Sequence, residues 1–158
     1  MSKDNRPAQP RARRRKISAA DYRKLAEFRF RIRRFLHFTE EAARAHGMES
    51  QQHQLLLAIR GLPKGARPTV TTISDRLRLR HHSTVELIDR LEKQGAVARQ
   101  HGKEDRREVL LHLTPRGEDR LRRLTVSIWP QLQVEGVALS GSLQELLGAS
   151  REPGRDTR

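Results

Sequence analysis

Apolar positions in the first part of the chain recur at steps of three and four, which predicts amphipathic helices. The first helix is predicted over residues 18–46, with Ser18 as its N-cap and Gly47 as the left-handed residue that ends it. All four phenylalanines of the chain fall in this helix, and they lie on more than one side of it. Two apolar sides are typical of a helix in a dimer interface, with a ligand pocket as the alternative.

Two shorter helices are expected next. One is predicted over Ser50–Arg60, where it stops at Gly61. Residues 62–68 contain the Pro and Gly of an irregular connection, and the third helix is predicted over Val70–Leu77 with Thr69 or Thr71 as its cap.

A tight turn at residues 78–80 leads to a fourth helix, predicted from His81 or His82 to Gln94. The spacing of Ser83 and Glu86 is that of a capping box. The side chains expected to face inward are Val85, Ile88 and Leu91.

After Gly95 the apolar period changes from 3.6 to 2, which predicts strands over residues 96–101 and 108–113. The charged segment between them, residues 102–107, has the length of a hairpin loop. Thr114 followed by Pro115 predicts a new helix start. Pro130 is expected to kink this fifth helix, and a separate short helix is expected over residues 142–149.

The charge of this mainly helical chain indicates what kind of partner it binds. The chain has 33 Lys and Arg against 19 Asp and Glu, a formal net charge of +14, and the excess is greatest in the first sixteen residues. Residues 1–17 are therefore expected to be a disordered basic arm, which either lies along phosphates or is a solvated tail. The rest of the chain is also basic, so an anionic partner is expected.

Several classes of protein are excluded. The chain has no cysteine, so disulfides, zinc fingers and thiol chemistry are absent. No apolar run is long enough for a transmembrane helix, and the N-terminus lacks the apolar segment of a secretory signal, so a cytoplasmic protein without a membrane partner is expected. No cofactor motif is present, and the adjacent His81 and His82 point too far apart to favour a shared metal ion.

Two short helices joined by a three-residue turn and followed by a basic hairpin predict a nucleic-acid site. In a helix-turn-helix the N-terminal residues of the second helix contact base edges in the major groove. The hairpin cations suit phosphates or a narrow minor groove, although Asp105 and Arg107 could also pair with each other. The candidate DNA-binding residues are Arg80, His81, His82, Ser83, Thr84, Arg90, Lys103, Arg106 and Arg107.

These pieces together resemble the MarR family of bacterial transcription regulators. The matching motifs are Val70-x-x-Ile73-Ser74-Asp75-Arg76-Leu77, Val85-x-Leu87-Ile88-Asp89-Arg90-Leu91-Glu92-x-x-Gly95, Glu104-Asp105-Arg106-Arg107 and Leu111-x-Leu113-Thr114-Pro115-x-Gly117. The resemblance implies a winged helix-turn-helix fold with a two-stranded β wing, flanked by N- and C-terminal dimerisation helices. It also implies a homodimer, a palindromic operator in double-stranded DNA and, often, a small-molecule effector.

The domain organisation expected on this basis is a single winged-helix domain over residues 18–150, with its DNA-binding core at about 48–115 and a polar tail over 151–158. The chain differs from the family in its arginine-rich arm and in a final helix that Pro130, Gly136 and Gly141 are expected to interrupt. His37, His46 and His53 are either partners of their neighbours or effector ligands.

The predicted function is a sequence-specific, homodimeric transcription regulator that acts as a repressor and is not an enzyme. The first alternative is a non-specific architectural nucleic-acid-binding protein, for which the basic arm and the charge would suffice. The second is a metal-dependent hydrolase, which the absence of metal-ligand spacings and of a Gly-rich phosphate loop disfavours.

Overall fold

The computed structural model describes residues 16–102 and 108–148. Over these residues the chain forms five helices and one antiparallel sheet of two strands, in the order α1 (Ala19–Ala45), α2 (Ser50–Arg60), α3 (Val70–Leu77), α4 (His81–Lys93), β1 (Val97–His101), β2 (Val109–Leu113) and α5 (Pro115–Gly148). Three predicted segments lie outside the described residues: most of the basic arm, the hairpin loop 103–107 and the tail 151–158. Of the arm, the structure describes Lys16 and Ile17, which are exposed.

Helix ends follow the capping residues of the sequence. The Ser18 hydroxyl accepts a hydrogen bond from the Asp21 N–H at 3.2 Å, and the Asp21 carboxylate accepts one from the Ser18 N–H at 2.9 Å. Gly47 adopts the left-handed conformation, with φ at 67°, just after α1. At the start of α3, the Thr69 hydroxyl accepts from the Thr72 N–H at 3.1 Å. The predicted ends of these helices are confirmed.

The predicted capping box of α4 is wrong. The helix starts at His81 with Arg80 in the N-cap position, which places Ser83 inside the first turn. The buried face of α4 is made by Thr84, Leu87, Ile88 and Leu91, so Leu87 rather than Val85 faces the core. Residues three and four apart share one face of a helix, and the four buried residues follow this spacing. Val85 does not belong to that series and points to the side of the buried face.

The hydrophobic core lies where α2, α3 and α4 meet the hairpin and the first half of α5. Every one of these elements contributes a side chain with almost no exposure: Leu55, Leu56, Ile73, Leu87, Ile88, Leu91, Val97, Leu111 and Leu124. His53 of α2 is also buried, and burial lowers the pKa of its imidazole, which favours the neutral form. The core therefore fixes α3 and α4 against the hairpin.

The hairpin pairs Val97 with Leu113 and His101 with Val109, as the alternating pattern predicts. The Gly102 N–H donates to the Glu108 carbonyl oxygen at 2.9 Å and closes its outer end. An additional bridge pairs Thr69 with Leu110, and the Leu111 N–H donates to the Pro68 carbonyl oxygen at 2.8 Å. This contact was not predicted, and it holds β2 against the start of α3.

Helix α5 corrects the predicted C-terminal region. It is a single helix of 34 residues that continues through Pro130, Gly136 and Gly141, so the separate helix over 142–149 is wrong. Proline removes one backbone donor and costs about 3 kcal/mol in a helix interior. Burial on both sides of Pro130 opposes that cost, because a continuous stripe faces the protein: Leu121, Leu124, Ile128, Glu135 and Ser142.

Helices α1 and α5 pack along each other more extensively than any other two described elements. Arg34 of α1 donates to the buried Glu135 carboxylate at 3.0 Å, and Gln131 donates to the same oxygen at 3.1 Å. Large apolar side chains nevertheless remain exposed on both helices: Tyr22, Leu25, Phe30 and Leu36 on α1, and Val126, Trp129, Val134, Val137, Leu143 and Leu147 on α5. The prediction that α1 is apolar on more than one side is confirmed.

The start of α5 is held against the start of β1 by a close backbone contact. Thr114 donates its N–H to the Ala96 carbonyl oxygen at 3.1 Å and its hydroxyl to the Gly95 carbonyl oxygen at 2.5 Å. A Cβ added to Gly117 would lie 1.9 Å from the Ala96 carbonyl oxygen. Only glycine fits there, because the obstructing atom belongs to the backbone.

We expect Gly117→Ala to lower the free energy of unfolding by about 1–3 kcal/mol, the usual cost of forcing atoms into a packed site. Equilibrium urea denaturation followed by circular dichroism measures the change. Gly136→Ala in the same helix is the matched control, because its added Cβ would meet no atom within 4 Å beyond its chain neighbours and the backbone of its own helix. The control should leave stability unchanged or raise it by up to about 1 kcal/mol. Equal stability of the two variants would contradict the close contact.

Candidate nucleic-acid interface

Helices α3 and α4 are joined by a turn in which Arg78 is left-handed, with φ at 54°. The Leu79 N–H donates to the Ser74 carbonyl oxygen at 3.1 Å, which closes the end of α3. The chain then enters α4 at Arg80, and the Arg80, His81 and His82 side chains are exposed there, with Ser83 half-buried. The structure therefore brings four of the predicted residues together at one helix start.

No side chain caps the N-terminus of α4, since the N-cap position is Arg80 and its side chain makes no capping hydrogen bond. The N–H groups of the first turn of a helix point outward and carry partial positive charge, and they bind phosphate oxygens readily. An uncapped start with Arg80 beside it suits an anionic partner. This feature is visible in the sequence only once the start of α4 is known.

Thr84 does not belong to the exposed group. Its side chain is fully buried, and its hydroxyl donates to the Arg80 carbonyl oxygen at 3.2 Å. A contact with DNA needs an exposed side chain, so the inclusion of Thr84 among the candidates is corrected. Thr84 instead joins the start of α4 to the core.

Arg90 is exposed on α4 but stands apart from the first turn. It lies nine residues after His81, which amounts to half a helical circumference and a rise of about 14 Å. A partner that touches both residues must extend along the helix and around to its other side. Arg90 is therefore positioned for a peripheral contact.

Arg99 of β1 links the hairpin to α4. Its guanidinium forms ion pairs with Asp89, at 2.5 Å, and with Glu92. Burial by itself would lower the pKa of Arg99, but the hydrogen bonds and charges of Asp89 and Glu92 raise it overall, so the group stays charged. This one cation is shared by two carboxylates on α4 and offsets part of their charge. Arg99 was not among the predicted site residues, although two carboxylates three residues apart on one helix are a signal for such a partner.

The tip of the hairpin lies outside the described residues, and with it Lys103, Arg106 and Arg107 and the pairing predicted between Asp105 and Arg107. The described base of the hairpin places Glu108 in an ion pair with Arg67, which comes from the connection between α2 and α3. The hairpin is thus held on one side by Arg67 and on the other by Arg99.

Three exposed arginines surround the turn between the two helices: Arg76, Arg78 and Arg80. None of them forms an ion pair with a residue in the described part of the chain. Arg76 and Arg78 were not among the candidates. Their signal is their position, because the residues at this turn flank the start of α4.

The three histidines considered as effector ligands lie in different surroundings. His37 pairs with Glu41 at 3.3 Å, His46 contacts the Ala42 carbonyl oxygen through Nδ1 at 2.9 Å, and His53 is buried in α2. A cavity of about 600 Å³ between α2 and the start of α5 is lined by none of them. Within residues 16–102 and 108–148, no three His, Asp or Glu side chains are grouped as metal ligands would be.

Membrane insertion has no support in the described helices, since none combines the length and the apolar character needed to cross a bilayer.

Residues 46–108 match the model of the MarR family, which is less than half of the chain. No curated protein sequence is similar enough to match. Among solved structures, AbsC, a MarR family transcriptional regulator from Streptomyces coelicolor, is 18% identical with a TM-score of 0.68, over 87% of this chain and 93% of that one. The predicted resemblance to the MarR family is confirmed in the region that contains α2, α3, α4 and β1.

Two further structures are similar in fold. A mutant MarR from E. coli complexed with operator DNA is 20% identical with a TM-score of 0.61, over 78% of this chain and 90% of that one. BpsR from Bordetella bronchiseptica, whose DNA binding is regulated by 6-hydroxynicotinic acid, is 21% identical with a TM-score of 0.55, over 79% and 91%. Identities this low establish the fold alone, and the predicted winged helix-turn-helix with flanking helices is confirmed.

Removal of the Arg99 guanidinium should loosen the hairpin. In Arg99→Gln we expect the free energy of unfolding to fall by about 1 kcal/mol, because two partly exposed ion pairs are lost. Amide hydrogen exchange in β1 should become faster. Arg122→Gln, which removes an exposed ion pair on α5, is the control and should leave exchange in β1 unchanged. The same β1 exchange in both variants would show that Arg99 does not hold the hairpin to α4.

Proposed function

We propose that this protein is a sequence-specific DNA-binding transcription regulator that acts as a homodimer. The observation that carries the proposal is the exposed, uncapped start of α4, where His81 and His82 stand beside Arg80 at the end of a helix-turn-helix. The match to the MarR family and the fold shared with a MarR bound to operator DNA support it.

In the proposed complex, the first turn of α4 enters the major groove of double-stranded DNA. His81, His82 and Ser83 are placed to contact base edges, since each carries a hydrogen-bonding group. Phosphates on either side are met by exposed cations around this turn, Arg76, Arg78 and Arg80, with Arg90 further along the helix. The hairpin supplies Lys103, Arg106 and Arg107 for the adjacent backbone or minor groove.

Arg99 has a supporting role in this complex. Without it, the carboxylates of Asp89 and Glu92 would add negative charge to the helix that approaches phosphates. Its positive charge reduces that repulsion, and its two ion pairs hold the hairpin to α4. The Arg99 guanidinium thus lowers the negative charge of α4 and also holds the hairpin in position.

The homodimer is proposed from the distribution of exposed apolar side chains. Nearly all the large apolar side chains that are exposed among the described residues belong to α1 or α5. The exceptions are Ile17, which directly precedes α1, and Leu57 of α2. Burial of an apolar surface is favourable by about 25 cal/mol per Å². A second copy with the same two helices would cover this surface, and a two-fold dimer requires a palindromic operator.

Repression follows if the operator overlaps a promoter, and release by a small-molecule effector is proposed by analogy with BpsR. The protein would act in the cytoplasm, where bacterial DNA lies, and without enzymatic activity. A non-specific architectural binder is the competing function. Competition against random DNA at physiological salt separates the two, since a specific site should win by about 10³-fold or more.

Substitutions at the two parts of the interface should have different effects. His82→Ala and Ser83→Ala should change the preferred base pairs, each at a cost of about 1–3 kcal/mol on the best site, because base-edge hydrogen bonds are lost. Arg106→Ala and Arg107→Ala should weaken binding to every sequence and reduce the salt dependence. Selection of bound sites from random duplexes, followed by fluorescence anisotropy, measures both.

His37→Ala, an exposed histidine on α1, is the control and should keep the wild-type preference. Equal losses on specific and random DNA for all four interface variants would show that α4 is not the reading helix.

Val137 is the most exposed large apolar side chain of the described residues, at 74%. We expect Val137→Asp to break the dimer without unfolding the chain, because the aspartate is solvated in the monomer and buried in the dimer. Sedimentation equilibrium should give twice 18.3 kDa for the wild type and 18.3 kDa for the variant.

Leu57→Asp makes the same change on α2 and should remain dimeric. A wild-type protein that sediments as a monomer at micromolar concentration would exclude the homodimer, and a dimeric Val137→Asp would exclude α5 from its interface.

A further inference from the structure

A second basic site lies away from the start of α4. It is an open cleft of about 780 Å³ where the ends of α1 and α4 meet the first turns of α5. Its cations are Lys93 from the last turn of α4 and Arg116, Arg120 and Arg123 from α5, against the single carboxylate of Asp119. The three arginines are spaced four and three residues apart, so they lie on one face of α5.

Only two of these four cations have hydrogen-bond or ion-pair partners within the described part of the protein. Arg120 donates to the Gln94 side-chain oxygen at 2.9 Å and to the Gly47 carbonyl oxygen at 3.2 Å, which ties together the ends of α1 and α4. Arg123 shares Asp119 with Arg122, and their hydrogen bonds lower the pKa of that carboxyl. In contrast, Lys93 and Arg116 have no ion pair or side-chain hydrogen bond to any described residue.

Arg116 is the informative residue of the cleft. It lies in the first turn of α5, where the helix dipole is positive and a cation is unfavourable. Glu118, the acidic residue of that turn, pairs with Arg60 on another side of the helix. The Thr114 hydroxyl accepts from the Gly117 N–H at 3.1 Å and caps the helix start, so the positive charge that remains at this point of the cleft is that of Arg116. An anion in the cleft would offset it.

The lining indicates the class of anion. Apart from the imidazole of His46, the side chains around the cleft are charged or amide groups, which favours a charged ligand over an apolar one. Guanidinium groups match the oxygens of phosphate in pairs, and a phosphate monoester brings a charge close to −2 at neutral pH. We propose that this cleft binds a small phosphorylated ligand.

The location separates this site from the proposed DNA interface. The cleft is at the C-terminal end of α4, and His81 is at its other end, twelve residues and about 18 Å away. A ligand bound there would contact α4, α1 and α5 together. This proposal rests on the proposed function, because it places a ligand where the reading helix meets the helices proposed to form the dimer. Binding of the ligand does not itself require DNA.

The test uses the full chain and sodium pyrophosphate as the probe, in isothermal titration calorimetry at low, constant ionic strength. We expect saturable binding to the wild type. Arg116→Gln and Lys93→Gln should each raise the dissociation constant about tenfold or more, because a charge-assisted hydrogen bond is lost. Both should fold normally, because neither side chain bonds to the described part of the protein.

The control is Arg33→Gln, which removes one exposed positive charge from α1, and its dissociation constant should stay within about twofold of the wild type. Absence of pyrophosphate binding to the wild type would overturn the site. An equal loss in Arg33→Gln would also overturn it, since the binding would then reflect overall charge.

A second arm decides between a small ligand and the DNA backbone. The slope of log affinity against log salt for a random duplex should be the same for Arg116→Gln and the wild type. A slope smaller by about 0.9 in the variant would mean that a DNA phosphate occupies the cleft, which would overturn the small ligand. If no duplex is bound at all, the proposed function fails, and the calorimetry still decides the cleft.

Discussion

The contact between Gly117 and the Ala96 carbonyl oxygen is the constraint on which the arrangement of this protein depends. It holds the first turn of α5 against the chain that leaves α4 and enters β1, and Thr114 adds two hydrogen bonds to the same two residues, Gly95 and Ala96. Because the obstructing atom is backbone, no side chain can relax to admit a Cβ. The helix-turn-helix, the hairpin and α5 are therefore joined at one rigid point, and the basic cleft lies beside it.

The distribution of charge follows from how this junction is built. Cations at the C-terminal ends of helices are favourable. Lys93 lies in the last turn of α4, and Arg120 of α5 donates to Gln94 and Gly47 at the ends of α4 and α1. On α4, Arg99 pairs with Asp89 and Glu92, whereas the arginines around the turn before α4 have no ion pair to a described residue. Exposed positive charge therefore remains at both ends of α4. The net charge of +14 indicates an anionic partner, but only the structure shows that its excess is divided between two places on one helix.

Local signals predicted most of the fold. Caps such as Ser18, Thr69 and Thr114 act within a few residues, so the sequence is enough to place them. Predictions failed where distant contacts decide the outcome. Pro130 was expected to kink α5, with a separate helix after it, but the buried stripe along α1 offsets the cost of its missing donor, and the helix continues. Likewise, Thr84 has the chemistry of a DNA contact, and only the packing of α4 on the core shows that it is buried. For the same reason Arg99 was missed, since its partners lie on another element.

The continuity of α5 has a further consequence for the proposed dimer. A helix of 34 residues is about 51 Å long, and its first turn is fixed to the winged-helix unit at Gly117 while its later turns carry the exposed apolar residues. In a broken helix, as predicted from Pro130, the two parts could change their angle, and the dimer contact would not determine where α4 lies. In a continuous helix, the packing of two copies along α1 and α5 in the proposed dimer would set the position of both α4 helices. The separation of the two α4 helices, and with it the spacing of the proposed operator half-sites, would then be fixed by contacts that lie far from the DNA.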